Sequence, residues 1–387
     1  MTTVCGYRRW FLWVGILVVG VLSVVLVLRR SATVPVPANV TWKPQPDQFP
    51  LGAAIQGSHV EFSAAFFTGQ KATRLPASFA RLPNWLRRPV VNLFIRAQAA
   101  SAKSRWKIRV EAPPFVRVDD SKVDFDSVQG VMVAIRAHLD TDQPGNWEGN
   151  LHVSLRNRSG TTNAIDLPVR VNVLRHPVEK VRKVLVTETP YGMYSTDDGT
   201  RFLPLAQVTE HLAERGVQVD FREELPEVLT GYDLILLAGS PLVRTPAAKI
   251  QQFRERIALG AHVVLAADAF FVGTSQTATE LMKSYGLQME NDDAGSAVTN
   301  VVVATDPLTD CVRRVNFWRP ARITVTDAAQ GKVLVQDQAG LGGFVAVSRA
   351  PGRGELRVVA QSLWWNWLKE DPAQVDNVQL MENLLQP

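Results

Sequence analysis

Cysteine is almost missing from this chain: among 387 residues only Cys5 and Cys311 are cysteines. They stand on opposite sides of the one long apolar run, so a run that crosses a membrane would keep them apart, and no disulfide is expected in the rest. The six histidines are scattered, with no His-x-x-x-His, Cys-x-x-Cys or acidic metal-loop spacing, so neither a metal nor another cofactor is expected. Lysine-rich tracts with interleaved aromatics are lacking too, which argues against nucleic acid as a partner. The formal net charge of +5 sits partly in Arg8, Arg9, Arg29 and Arg30 and in Arg81, Arg87, Arg88 and Arg96. That arrangement suits a solvated face near anionic headgroups. The glycines of Gly340-Leu-Gly-Gly343 precede a strand pattern and not a helix, so they make a turn and no phosphate cradle.

What is present begins with Trp10 to Leu28, WFLWVGILVVGVLSVVLVL, which has Ser23 as its one polar side chain. About 20 apolar residues in a helix cross roughly 30 Å of hydrocarbon. Arg8, Arg9, Arg29 and Arg30 fence the run, and Trp10 and Trp13 suit the interfacial belt. A cleaved signal peptide has a shorter core and a small-residue site; here only Ala32 and Ala38 offer one. The expectation is an uncleaved transmembrane helix at 10–28 after a short tail at 1–9. The lipid bilayer is then a partner, and the soluble part lies outside the cytoplasm at the inner membrane. Residues 31–50 hold five prolines among small and polar residues, a stiff linker.

Hydrophobic content of 46% and charged content of 20% are those of packed domains, and the length suits two beyond the anchor. Over 51–176, apolar and polar residues alternate in short runs: 91–96, 106–110, 131–136, 151–156 and 167–174. Period-two patterning between Pro, Asn and Gly turns predicts an all-β antiparallel sandwich. From Lys183 the period changes. Near-continuous apolar strands at 184–188, 217–221, 234–238 and 262–267 alternate with helical spacing at 202–215 and 245–259, the latter opened by Thr245 and Pro246. A parallel α/β sheet is expected over 181–387, with further strands near 298–303, 332–336, 343–348 and 356–360 and a last helix at 376–385.

Three passages in this half resemble the class I glutamine amidotransferase-like fold: Gly231-Tyr-Asp-Leu-Ile-Leu-Leu, Phe253 through Leu265, and the ending Gly352-Arg-Gly-Glu-Leu-Arg-Val-Val-Ala with Asp376-Asn-Val-Gln-Leu-Met-Glu-Asn-Leu-Leu. Pro144 through Leu155 similarly resembles the last hairpin of bacterial immunoglobulin-like domains. Together they imply an N-terminal transmembrane helix, an immunoglobulin-like sandwich and a flavodoxin-like α/β domain, as in a non-catalytic bacterial branch that includes membrane-anchored proteins linked with transport systems.

The amidotransferase reaction needs a cysteine on a tight strand-to-helix turn beside a histidine. The chain has Ala266-Ala267-Asp268-Ala269-Phe270 there, and Gln361 through Trp365 where His and Glu would follow. No catalytic residue is therefore expected, and Cys311 reads as an incidental thiol. The resemblance implies a ligand crevice at the carboxyl edge of the sheet, formed by Glu188, Tyr191, Tyr194, Gly239, Ser240 and Asp268. The acidic loops 197–199 and 290–293 read as solvated turns, and Trp364, Trp365 and Trp367 as covered core. The function expected is a non-catalytic binding or scaffold subunit with protein partners in a membrane complex. The alternative is a divergent hydrolase using Asp268 or Glu188.

Overall fold

The computed structural model describes residues 49–67, 106–126, 130–157, 162–177, 181–187, 203–238, 244–267, 275–293, 301–317, 320–340, 342–349, 353–361 and 376–387, with a few single positions between them. The apolar run at 10–28 lies outside this set; of the strand expected at 91–96, the described positions Val91, Asn92 and Arg96 are helical, which corrects that expectation. Among the described residues no helix is long and apolar enough to cross a membrane.

Among the described residues, the first half has seven strands: β1 (Phe49–Ile55), β2 (Val60–Phe67), β3 (Trp106–Glu111), β4 (Val116–Asp126), β5 (Gly130–Leu139), β6 (Gly145–Asn157) and β7 (Thr162–Leu174). The alternation acts as period two requires. Leu151, Val153 and Leu155 of β6 and Leu167, Val169, Val171 and Val173 of β7 are buried. The residues between them face outward in pairs such as His152 with Asp166 (2.6 Å) and Glu148 with Arg170 (3.0 Å). One sheet runs in the order β1-β7-β6-β3, with β1 parallel to β7.

The second half adds β8 (Arg182–Val186), helix α1 (Leu203–Glu214), β9 (Val217–Phe221), β10 (Leu234–Ala238), α2 (Lys249–Ala258), β11 (His262–Ala266) and α3 (Gln276–Ser284). Then follow β12 (Leu287–Asp293), β13 (Val301–Val303), a 3-10 turn at Pro307–Thr309, β14 (Ala321–Val325), β15 (Gly331–Asp337), β16 (Gly343–Arg349), β17 (Glu355–Val359) and α4 (Asn377–Leu384). Five strands, in the order β9-β8-β10-β11-β17, are parallel. Their residues are nearly all buried, which is why they read as continuous apolar runs. Helix α1 packs with α4, and α2 with α3. The strand order reverses direction at β8.

The expected fold class needs correction. The second sheet is not confined to the second half. It is one mixed, 13-stranded sheet whose main path is β12-β14-β16-β17-β11-β10-β8-β9-β2-β5-β4, so it crosses from the α/β half into the β half. The molecule is mostly β, with antiparallel strands flanking a parallel centre on both sides, and is not a closed sandwich joined to a separate flavodoxin-like domain. The crossing is at β2 and β9, paired in parallel through Val60 and Phe221. Phe221 donates its amide to His59 O at 2.8 Å, and His59 donates its own to Asp220 Oδ1 at 2.9 Å. One hydrophobic core runs from Leu51 through both halves to Leu385. Period-two patterning identifies a strand, but it carries no information about which strand lies beside it.

Candidate functional site at the carboxyl edge of the parallel strands

In an open parallel sheet, ligands bind beyond the carboxyl ends of the strands where the strand order reverses. Here β8 leads outward to β9, and the chain then returns past β8 to β10, so the switch point lies between β8 and β10. The described residues at that edge are closely built. Thr187 is buried and donates both its amide and Oγ1 to Leu236 O, each at 3.0 Å. Ala267, next to the end of β11, donates its amide to Val359 O at 3.0 Å. Chain connectivity places Glu188 directly after Thr187, Gly239 after Ala238 and Asp268 after Ala267. These three, with Tyr191, Tyr194 and Ser240, lie outside the described residues. The same holds for Arg8, Arg9, Trp10, Trp13, Arg29 and Arg30, and for Trp364, Trp365 and Trp367.

Beside this edge, at the carboxyl end of β9, a cleft of about 330 Å³ is lined by Glu223, Glu224 and Leu225 and by Arg244, Thr245, Pro246 and Lys249 ahead of and at the start of α2. Lys249 donates from Nζ to Pro226 O (3.0 Å) and Glu227 O (2.5 Å), so its ammonium ties the loop after β9 to the helix. Thr245 and Pro246 were expected to cap α2, but the helix begins at Lys249 with Ala248 as N-cap and no side-chain cap. Tertiary demands displace the cap: Thr245 is buried, and its carbonyl accepts Thr277 Oγ1 at 2.7 Å. The cleft offers both charge signs to a ligand, and no nucleophile.

Among the described residues, a cluster of charged side chains lies at the opposite, amino edge. Arg349 donates to Asp306 through Nη1 (2.7 Å) and Nη2 (2.8 Å) and to Glu355 Oε1 through Nε (2.5 Å). Arg357, 4% exposed, donates to Glu355 Oε2 at 2.9 Å and to Leu384 O and Gln386 O, each at 2.7 Å. The Arg349 guanidinium holds the Asp306 carboxyl down at about 2. Burial, reinforced by Arg357, pushes the His262 imidazole down to about 4. Its Nδ1 accepts the Glu355 amide at 3.2 Å, which requires that nitrogen to be unprotonated. This network joins strands to the last helix and faces no described cleft. Residue order alone does not reveal it, except that Arg349 and Glu355 stand opposite each other across the β16–β17 hairpin.

The passages that carry the family resemblance also build the sheet. Tyr232 donates to the buried Asp220 Oδ2 at 2.9 Å, and Asp233 Oδ2 accepts the Lys183 amide at 2.8 Å. Gly354 lies so close to the start of β11 that an added Cβ would stand 1.7 Å from Ala261 O. In the ending, Asp376 Oδ2 accepts the amides of Arg313 (2.7 Å) and Arg314 (2.9 Å), Asn377 Oδ1 accepts that of Asn316 (3.1 Å), and Asn383 donates to Asp310 O (2.8 Å). These residues clamp the segment holding the exposed Cys311, whose φ is 58°. Among the described residues no group of three or more His, Cys, Asp or Glu is placed to hold a metal ion.

No protein-family model matches the chain, and no curated protein matches it. Among solved structures, it is similar to a 2,6-sialyltransferase from a Photobacterium species in complex with CMP and lactose. The match has 8% identity and a TM-score of 0.13, over 60% of this chain and 37% of that one, so the chain spans little more than a third of that structure. A likeness that weak supports no statement about fold or chemistry.

Proposed function

We propose that this chain is a non-catalytic binding or scaffold protein, held at a bacterial inner membrane by its apolar run and displaying its folded halves outside the cytoplasm to partners in an envelope or transport-associated complex. The observation that carries the non-catalytic reading is the sequence after β11, Ala266-Ala267-Asp268-Ala269-Phe270, which puts a carboxylate where the resembled enzymes need a thiol. The described part of the carboxyl edge adds buried threonine and alanine and a cleft of mixed charge. Membrane attachment is supported by Trp10 to Leu28 and its flanking arginines.

Fractionation tests attachment. The full chain should sediment with membranes and resist carbonate extraction, and an N-terminus cleaved after Ala32 or Ala38 would refute it. Catalysis is tested with glutamine and with simple amide and ester substrates on the full chain, Asp268→Ala and Cys311→Ser. No turnover is expected; turnover abolished by Asp268→Ala would instead establish the hydrolase alternative.

A further inference from the structure

We propose that the β half is a positioning element for the cleft at the end of β9: Glu61 and Arg136 hold the cleft wall that begins at Glu223. Arg222 donates its amide to Val186 O at 2.9 Å, the last rung joining β9 to β8. The next amide, that of Glu223, finds its acceptor in the other half, Glu61 Oε2 on β2, at 2.8 Å. The second oxygen of Glu61 is held by His59 Nε2 at 2.7 Å, which fixes the carboxylate in place. From β5, Arg136 Nη1 reaches Glu223 Oε2 at 3.3 Å. Beyond Glu223, Leu225 packs against the core and Lys249 grips Pro226 O and Glu227 O. The wall is thus pinned at one end by the β half and at the other by α2.

The two pins differ in strength. Glu61 is 22% exposed and makes a charge-assisted bond to a backbone amide, whereas the Arg136–Glu223 pair is 44% and 32% exposed and is screened by water. Glu61 therefore dominates, and Arg136 trims the direction of Glu223. A ligand in the cleft and a partner on the β half would be linked through this wall in both directions, since such coupling is reciprocal. The inference stands apart from the proposed function and does not require the chain to be anchored.

Hydrogen–deuterium exchange on the purified full chain tests it. In Glu61→Ala, the amides of Glu223, Glu224, Leu225 and Glu227 should exchange about tenfold faster or more, the loss expected for a bond to a charged acceptor, while 234–238 and 262–266 keep their protection. Arg136→Gln should change the same amides by about threefold at most. Glu61→Gln retains an acceptor oxygen without the charge and should fall between them; it also serves as the test if Glu61→Ala fails to fold. Unchanged exchange at these four amides in the Glu61 variants would overturn the proposal. So would a loss of protection spread evenly over 234–238 and 262–266, which would make Glu61 a general stabiliser and not a local pin.

Discussion

His262 and Gly354 meet at the amino end of β11 and make two different demands on one small region. The imidazole is 20% exposed and held neutral by burial and by Arg357, with a folded value of about 4 against 6.5. Between those values the unfolded chain takes up a proton that the folded chain refuses. Stability contributed here is therefore whole above pH 6.5 and falls as the pH drops toward 4. The loss should be on the order of 2 kcal/mol in urea titrations at pH 7 and pH 4.5. His262→Gln, which keeps an acceptor for the Glu355 amide, should flatten that dependence; an unchanged acid slope would show that the imidazole is not its source. Gly354 has no room for a methyl group, because the obstacle is the backbone oxygen of Ala261 and cannot rotate away. Gly354→Ala should cost about 3 kcal/mol or more. Gly260, at φ 97° with open space around its Cβ position, should lose only about 1 kcal/mol on the same change. Equal denaturant midpoints for the two variants would contradict the close contact. The sequence displays both glycines alike; only the packing ranks them.

At the scale of elements, β1 shows how an edge is kept from sticking. It is the last strand of its sheet, parallel to β7, and its register shifts between Pro50 and Ala53. Proline is tolerated at the start of an edge strand. Helix α1 packs against it, with Ala53, Ile55 and Ala213 buried together. Covering an exposed strand with a helix removes a site for unwanted pairing. Ile55→Ala should cost about 3 kcal/mol by denaturant unfolding. A loss below about 1 kcal/mol would mean that α1 rests on β1 without packing. Strands β8, β9, β10 and β11 were legible within two residues because burial on both faces leaves an unbroken apolar run. Strand β4 was not, since its run of Asp119, Asp120 and Lys122 and the register shift at Val118/Asp120 break the alternation that marks a strand.

For the whole molecule, the joining of the halves is decisive. The shared sheet narrows to one pair of residues at Val60 and Phe221, and the backbone of His59, the carboxylates of Glu61 and Asp220, and Gln218 Nε2 donating to Gly57 O at 3.1 Å strengthen the join. With a common hydrophobic core beneath, the halves should unfold together, so calorimetry of the full chain should give one transition. Two well-separated transitions would show that the seam is weaker than the cohesion of either half.

The sequence by itself determined many of the local elements: the alternation in β6 and β7, the parallel strands and helices α1 and α2, each written in a period that backbone geometry enforces. It also determined that the turn directly after β11, Ala267-Asp268-Ala269-Phe270, carries no cysteine. Only the tertiary structure decided that one sheet serves both halves, that Asp306, Arg349, Glu355 and Arg357 form one network, and that Glu61 secures the amide of Glu223. The reason is physical. Periodicity records which face of an element is buried, whereas the identity of its neighbour depends on contacts between residues far apart in the chain, and the glutamate at 61 and the amide at 223 leave no mark on each other in the sequence.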